Sequence, residues 1–235
     1  MKSEQKRGMQ KDAMKISQNT YMLETTRQAY LWKGRECYSM VYAVLEPDGI
    51  TLIDTGFPDR GMEILNVVRE LGKRKIDIKQ IFLTHSDLDH MGNAAWIQDK
   101  VGCPVWISEK ERIYTDGRKA RFGEKQEMAE AAHLENPGFS VYPDTGRIGD
   151  FEIIETPGHS EGHVSVIYSK KILFGGDLFF CRDGKLSPAN PAYSEDVKQA
   201  EESLRNLLKL KFTILCPAHG EPEKRKNVRW EEKAI

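Results

Sequence analysis

One short stretch constrains the fold of this chain more than any other: Thr84–His90, which reads THSDLDH and holds two histidines and two aspartates. It follows the apolar run Gln80–Leu83, which is short and bounded by polar residues, as expected for a buried strand. From Asp89 onward the pattern predicts the first turns of a helix. Because His85 and Asp87 are two apart in an extended segment, their side chains should converge.

This junction of strand and helix is a common place for functional sites. Asp89 and His90 should leave the helix start in other directions, which suits two adjacent metal ions better than one. The alternative interpretation is a polar helix start capped by Asp89, with two incidental histidines.

The rest of the chain repeats the arrangement. Three more of the six histidines and one aspartate stand in turn-like contexts after apolar β-type runs: His159 and His163 in TPGHSEGH, His219 in CPAHG, and Asp177 in GGD. Histidine nitrogens and carboxylate oxygens are the ligands expected at zinc, iron and manganese sites. A repeated pattern of strand, tight turn and ligand-type residue therefore predicts a metal centre.

The order HxDxDH, TPGHSEGH, GGDLFF and PAHG, with LIDTG upstream, resembles the metallo-β-lactamase superfamily of metallohydrolases. The resemblance implies an α+β fold, a four-layer αββα sandwich with metals at one sheet edge. It also implies a ligand set in which Asp177 bridges two ions. The first ion would have His85, Asp87 and His159, and the second would have Asp89, His90 and His219.

One position departs from the family pattern. The usual motif is HxHxDH, and here Asp87 replaces the middle histidine. An aspartate oxygen and the histidine Nδ1 lie equally far from Cβ, so reach is preserved while charge changes. Three carboxylates against two divalent ions leave one positive charge, where the usual set leaves two. A less positive site makes bound water less acidic and favours harder ions than zinc. The related diiron flavoproteins carry a glutamate at this position.

Composition bounds the remaining possibilities. A chain of 235 residues with a formal charge of −1 offers no broad field for nucleic acid or an anionic membrane. Its four cysteines lack metal-type pairing and indicate buried free thiols in a reducing compartment. No segment is typical of a membrane helix or signal peptide, so we expect a cytoplasmic protein. We predict a disordered N-terminal extension over residues 1–13 and one domain over residues 14–235.

Several local features are predicted from turn and cap chemistry. Residues 38–45 and 50–53 should form a hairpin. Asp54 would then either brace the metal loops, as the resemblance implies, or be an ordinary turn aspartate. Asp59 and Ser194 are candidate helix caps. The segments 109–150 and 181–193 should be irregular, and the resemblance implies that such segments select the substrate.

A few polar residues outside the ligand set also need an interpretation. Asn190 and Tyr193 are candidate pocket contacts or simple loop-surface residues. The resemblance places His163 near the metals without binding them. We expect His133 to be solvated.

The predicted function is a dinuclear metal-dependent hydrolase that acts through a metal-bound hydroxide on an ester, lactone, thioester or similar small molecule. Asp89 is the candidate catalytic residue, since by family analogy it orients the nucleophile or accepts its proton. Zinc is the leading metal, with iron or manganese as alternatives. Two other hypotheses stay open: an iron-dependent oxygenase or thiol-linked redox enzyme, and a metal-binding protein without catalysis. The oligomeric state is not predicted.

Overall fold

The computed structural model describes residues 12–24, 29–72, 77–134 and 138–230. They form two compact units: the described residues up to Trp106 with those of Glu127–Ser140, and Ile107–Gln126 with the described residues from Val141. Most of the predicted N-terminal extension lies outside the described residues, and the first strand begins at Ala13, one residue before the predicted domain start. The described residues contain no helix long and apolar enough to cross a membrane.

The first unit is built on a mixed sheet with strand order β1-β2-β5-β6-β7-β8-β9, the last two strands lying at the unit boundary. The strands are β1 (Ala13–Lys15), β2 (Thr20–Leu23), β5 (Val41–Glu46), β6 (Gly49–Ile53), β7 (Ile78–Phe82), β8 (Val105–Ile107) and β9 (Ser140–Val141); β3 (Tyr30–Trp32) and β4 (Arg35–Cys37) form a separate hairpin. The predicted hairpin is confirmed as β5 and β6. β7 then pairs in parallel with β6 and β8, which buries the strand that leads to the ligand stretch.

The first helix, α1 (Gly61–Leu71), buries the apolar face that its spacing predicts. It ends at the C-cap Gly72, and the predicted cap at Asp59 is wrong. Arg60 occupies the N-cap position, and its backbone N–H donates to the Asn93 side chain at 3.0 Å. Asp59 lies outside the helix with φ of 67°, so its backbone turns the chain instead.

The helix predicted from Asp89 is two helices, α2 (Leu88–Met91) and α3 (Ala94–Val101). Asn93 lies between the two helices, and its side-chain amide donates to the carbonyls of Thr55 at 2.6 Å and Phe57 at 2.7 Å. Gly92 is needed beside it, because a Cβ there would lie 2.6 Å from the Gly56 carbonyl oxygen. The break keeps α2 short and fixes His90 against the loop after β6.

The second unit contains a sheet with strand order β10-β11-β12-β13-β14-β17, while β15 pairs with β13 and β16. Its strands are β10 (Arg147–Ile148), β11 (Phe151–Glu155), β12 (Val164–Tyr168), β13 (Ile172–Arg182), β14 (Lys185–Pro188), β15 (Ile214–Gly220), β16 (Glu223–Lys224) and β17 (Arg229–Trp230). Ahead of them lies α4 (Arg112–Thr115), and α5 (Lys125–Ala131) crosses the unit boundary. Within residues 109–134 of the segment predicted to be irregular, these two short helices are the helical elements.

The core of this unit lies between β13, β14 and the amphipathic helix α6 (Val197–Leu207). Ala200, Leu204 and Leu207 are buried there, as their spacing predicts. The predicted cap at Ser194 is wrong, because the Asp196 side chain accepts from the Gln199 N–H at 3.0 Å.

The segment 181–193 is not the irregular loop that was predicted. β13 runs through it to Arg182, and left-handed Asp183 and Gly184 turn the chain into β14. A 3₁₀ turn, Pro191–Tyr193, ends the segment.

Candidate metal centre

The first ligand group lies on the turn between β7 and α2, in the first unit. His85 Nε2 lies 3.2 Å from an Asp87 carboxylate oxygen, so the predicted convergence of these two side chains is confirmed. Asp87 occupies the N-cap position of α2, but its carboxylate faces His85. On the first turn, His90 Nε2 lies 3.4 Å from an Asp89 oxygen. Both histidines are fully buried, and their Nε2 atoms face carboxylates.

Asp54 holds His90 from the opposite side of its ring. One oxygen of this buried carboxylate lies 2.9 Å from His90 Nδ1, and the other accepts from the Thr84 backbone N–H at 2.8 Å. A proton shared with Asp54 at Nδ1 leaves the Nε2 lone pair for a metal. The contacts therefore favour the bracing interpretation of Asp54 over that of an ordinary turn residue.

The second ligand group lies in the other unit and is centred on Asp177 of β13. Its Oδ1 lies 3.1 Å from His219 Nε2, and its Oδ2 lies 3.5 Å from His159 Nε2. His219 lies within β15, the parallel neighbour of β13. Both residues are thus inside strands, and the prediction that each follows a strand in a tight turn is wrong for them. A carboxylate with one oxygen toward each of two histidines has the donor arrangement of a bridging ligand.

His159 does follow a strand, on the loop after β11. Gly158 has φ of 129°, and a Cβ there would lie 2.1 Å from the Ala200 nitrogen, so the loop packs directly on α6. The α6 start is tied back to it, since the Glu195 N–H donates to the His159 carbonyl at 3.1 Å. This packing sets the position of the His159 backbone.

His163 supports the ligands, as the resemblance implied. Its Nε2 accepts from the Asp177 backbone N–H at 3.1 Å, and its Nδ1 contacts the Thr156 hydroxyl at 2.9 Å. Both ring nitrogens are used within the unit, so the residue positions Asp177. His133 is exposed, as predicted.

Two charged residues that the sequence did not single out contact the His159 loop. Glu111, which is fully buried, accepts hydrogen bonds from the Ser160 hydroxyl and from the Gly162 N–H, the latter at 3.2 Å. Lys125 is 6% exposed, and its Nζ lies 2.9 Å from His159 Nε2. Both stand in strongly charged runs that indicate a solvated surface, so the sequence offers no signal for their burial.

A network of charged groups lies near these residues. The Tyr114 hydroxyl donates to Glu195 at 2.7 Å and contacts Lys119 Nζ at 3.1 Å. Burial raises the pKa of Tyr114, and the hydrogen bond to Tyr114 raises the pKa of Lys119. Both groups keep their protons over the neutral range, and the network fixes the segment after α4.

The two candidate pocket residues make local contacts. Asn190 accepts from the Ala192 N–H at 3.0 Å, and the Tyr193 hydroxyl donates to Glu124 at 3.0 Å. These contacts favour the interpretation that Asn190 and Tyr193 are loop residues and not pocket contacts.

The donor chemistry fits divalent ions. In each unit, histidine Nε2 atoms lie within 3.5 Å of carboxylate oxygens, and nitrogen with carboxylate oxygen is a donor set used by zinc, iron and manganese. One contact conflicts with the fit, because the Lys125 ammonium lies at the ligand nitrogen of His159.

The sheets, the ligand-bearing strand ends and the paired donors are those of a metallohydrolase. The profile of the metallo-β-lactamase superfamily matches residues 34–219, and the chain belongs to that superfamily. The predicted fold class, α+β with the αββα sandwich of this family, is thereby confirmed.

Three similar proteins illustrate the relationship. The probable metallo-hydrolase YybB of Bacillus subtilis is 29% identical over 182 residues, covering 76% of this chain and 79% of that protein. The hydroxyacylglutathione hydrolase GloC of Haemophilus influenzae is 29% identical over 136 residues, covering 52% of this chain and 59% of that protein. The crystal structure of TTHA1623 in a di-iron-bound form has 27% identity and a TM-score of 0.60, covering 80% of this chain and 90% of that one. The function of the chain is accordingly of the metallo-hydrolase type.

Proposed function

We propose that this protein is a dinuclear metal-dependent hydrolase that acts on a small ester, lactone or thioester. The observation that carries the proposal is the Asp177 carboxylate, whose two oxygens face two different histidines, His219 at 3.1 Å and His159 at 3.5 Å. A carboxylate that binds two ions needs one oxygen facing each set of ligands, and Asp177 has this arrangement. The shared carboxylate supports two neighbouring ions.

The seven predicted ligands divide between these ions. His85, Asp87 and His159 would hold the first and Asp89, His90 and His219 the second, with Asp177 common to both. When bound, such ions make water more acidic and polarise the substrate carbonyl. Zinc is the leading candidate, and the extra carboxylate of Asp87 also suits iron or manganese.

The chain's own residues have separate tasks in this reaction. Asp54 fixes the His90 tautomer through Nδ1, and His163 holds the Asp177 backbone. Asp89 is partly exposed, with 16% of its side chain accessible, so its carboxylate can accept the proton that leaves the attacking water. No serine or cysteine nucleophile is needed.

Thioesters lead the proposed substrates because a relative is named as a hydrolase of hydroxyacylglutathione, which is a thioester. That relative matches only part of the chain, so lactones and simple esters stay within the proposal. The partner is a small molecule, with no nucleic acid or membrane.

The test combines metal analysis with a substrate panel. The protein is first purified without added metal and its native metal is identified. After reloading, it should contain close to two equivalents of metal and should hydrolyse at least one thioester, lactone or ester. Removal of metal by a chelator should abolish turnover, and re-addition should restore it. A fully loaded protein that is inert across the panel would contradict hydrolysis and favour the binding role.

A redox enzyme is the second candidate, favoured by the third carboxylate at Asp87 and by the similar structure described in a di-iron-bound form. Dioxygen uptake by the iron-loaded protein, in the absence of hydrolysis, would establish it over the first proposal.

A further inference from the structure

Lys125 opens α5 with its side chain turned inward. The residue is 6% exposed, although lysine is rarely buried, and Nζ lies 2.9 Å from Nε2 of the buried His159. An ammonium group only donates hydrogen bonds. His159 Nε2 therefore accepts, its proton is on Nδ1, and its lone pair points at Lys125.

The position of Lys125 is fixed by its own segment. The Lys125 backbone N–H donates to the Phe122 carbonyl at 3.3 Å, and neighbouring Glu124 accepts from the Tyr193 hydroxyl at 3.0 Å. The Gln126 side chain accepts from the Arg121 N–H at 3.0 Å. These contacts hold the start of α5 on both sides of Lys125, so the inward direction is a property of the fold.

We propose that Lys125 competes with a metal ion for His159, so that the first metal position loads more weakly than the second. The inference rests on the proposed dinuclear site. Nε2 has one lone pair, which can accept from the ammonium or bind an ion but cannot do both. Both histidines face an Asp177 oxygen, His159 Nε2 at 3.5 Å and His219 Nε2 at 3.1 Å, but the ammonium contact lies on the His159 side.

The charge count supports the same order of loading. The ligand set has three carboxylates, Asp87, Asp89 and Asp177, where the usual family set has two. One divalent ion at the second position together with the Lys125 ammonium balances them to zero. A second ion then enters a neutral site that already holds a cation, and it must displace that cation from His159. The ammonium of Lys125 thus offsets the charge of the third carboxylate, Asp87.

The experiment is a zinc titration of chelator-stripped protein against a chromophoric competitor. Wild type should bind two equivalents of zinc in two steps whose dissociation constants differ by at least about tenfold. This is the size of effect that groups in contact with metal ligands usually have on metal affinity. Lys125→Met keeps the apolar stem and removes the charge. It should tighten the weaker step by about tenfold or more and leave the tighter step within about threefold.

The matched control is Lys119→Met, which removes a lysine whose ammonium contacts Tyr114, Glu161 and Glu195 and touches no histidine. Both of its zinc-binding steps should stay within about threefold of those of wild type. Lys125→Gln replaces Lys125→Met if the latter fails to fold by circular dichroism. Unchanged or weaker steps in the folded Lys125 variant would overturn the inference and leave the dinuclear proposal standing. Absence of zinc binding in every protein, wild type included, would overturn both.

Discussion

Asp54 and His90 share a buried hydrogen bond of 2.9 Å between a carboxylate oxygen and Nδ1, across 36 residues of sequence. Asp54 sits just after β6 in a left-handed conformation with φ of 60°, and the Thr84 N–H binds its second oxygen. The residue that follows β6 thereby sets the ring orientation of a ligand on α2. This relationship gives the first prediction.

Asp54→Asn should weaken metal binding by about 10- to 100-fold, because the carboxylate that makes the His90 ring a better ligand becomes neutral. Asparagine tolerates the left-handed backbone, so the fold should survive. The control is Asp59→Asn at an exposed left-handed aspartate with φ of 67°. Zinc affinity measured by competition should fall only in the Asp54 variant, and equal affinities would refute the bracing role.

His219→Ala should lower turnover by at least about 100-fold, since it removes a ligand while taking little from the core. His133→Ala is the control, because that histidine is exposed and outside the ligand set. Steady-state rates should be compared at equal protein concentration, with circular dichroism to verify folding. Full turnover by the His219 variant on an established substrate would show that metal-assisted hydrolysis is the wrong mechanism.

Glu111→Ala should cost about 1–3 kcal/mol in the free energy of unfolding, because the Ser160 hydroxyl and the Gly162 N–H lose their buried acceptor. Glu109→Ala, two residues earlier on the exposed side, removes a surface contact to Arg112 and should stay within about 0.5 kcal/mol of wild type. Urea denaturation measures both. Similar values for the two variants would show that Glu111 does not hold the His159 loop.

Gly158→Ala should destabilise the protein by more than about 3 kcal/mol, because it combines a disfavoured backbone angle with a clash against the Ala200 nitrogen. Gly117→Ala isolates the first effect, since its φ is 69° and nothing lies within 4 Å of an added Cβ. That control should cost about 1–2 kcal/mol. Equal unfolding free energies would mean that the loop moves freely away from α6.

Stability should fall as the pH rises above about 9, where unfolded thiols begin to ionise. Burial raises the pKa of Cys103 to about 11 and also raises those of Cys216 and Tyr114, so their ionised forms favour the unfolded chain. Lys119 acts in the same direction: its pKa is raised in the folded state, and its contribution is complete below about pH 10.5 and lost above it.

Urea midpoints between pH 8 and 10.5 test this slope. Cys103→Ala should flatten it, whereas Cys37→Ala, at a half-buried thiol, should leave it as in wild type. A midpoint that does not change across the range would contradict the expectation.

The sequence was sufficient for features that depend on local pattern. The convergence of His85 and Asp87 follows from the period-two geometry of an extended chain, and the buried face of α1 follows from helical spacing. The hairpin at Glu46–Gly49 follows from turn chemistry. In each case a short segment contains the whole physical cause.

Features that depend on distant partners could not be predicted in this way. Asn93 breaks a helix because its side chain donates to carbonyls 36 and 38 residues away. The N-cap position is occupied by Arg60 and not by Asp59, because the Arg60 N–H binds the same asparagine. Glu111 and Lys125 are buried by tertiary contacts that their charged surroundings conceal. Such details of the site depend on tertiary contacts, and the spacing of residues in the sequence does not reveal them.

The register of β13 against β15 has a consequence for sheet regularity. Gly176 pairs with Pro217 and Phe180 pairs with His219. Between these two pairs the chain advances by four residues in β13 but by only two in β15. The surplus lies around Asp177 and brings its carboxylate opposite His219. A second register shift lies between Phe174 and Gly176, so an even ladder would move Asp177 out of line with His219. At this point the irregular register, and not an even ladder, places the predicted bridging carboxylate beside its histidine.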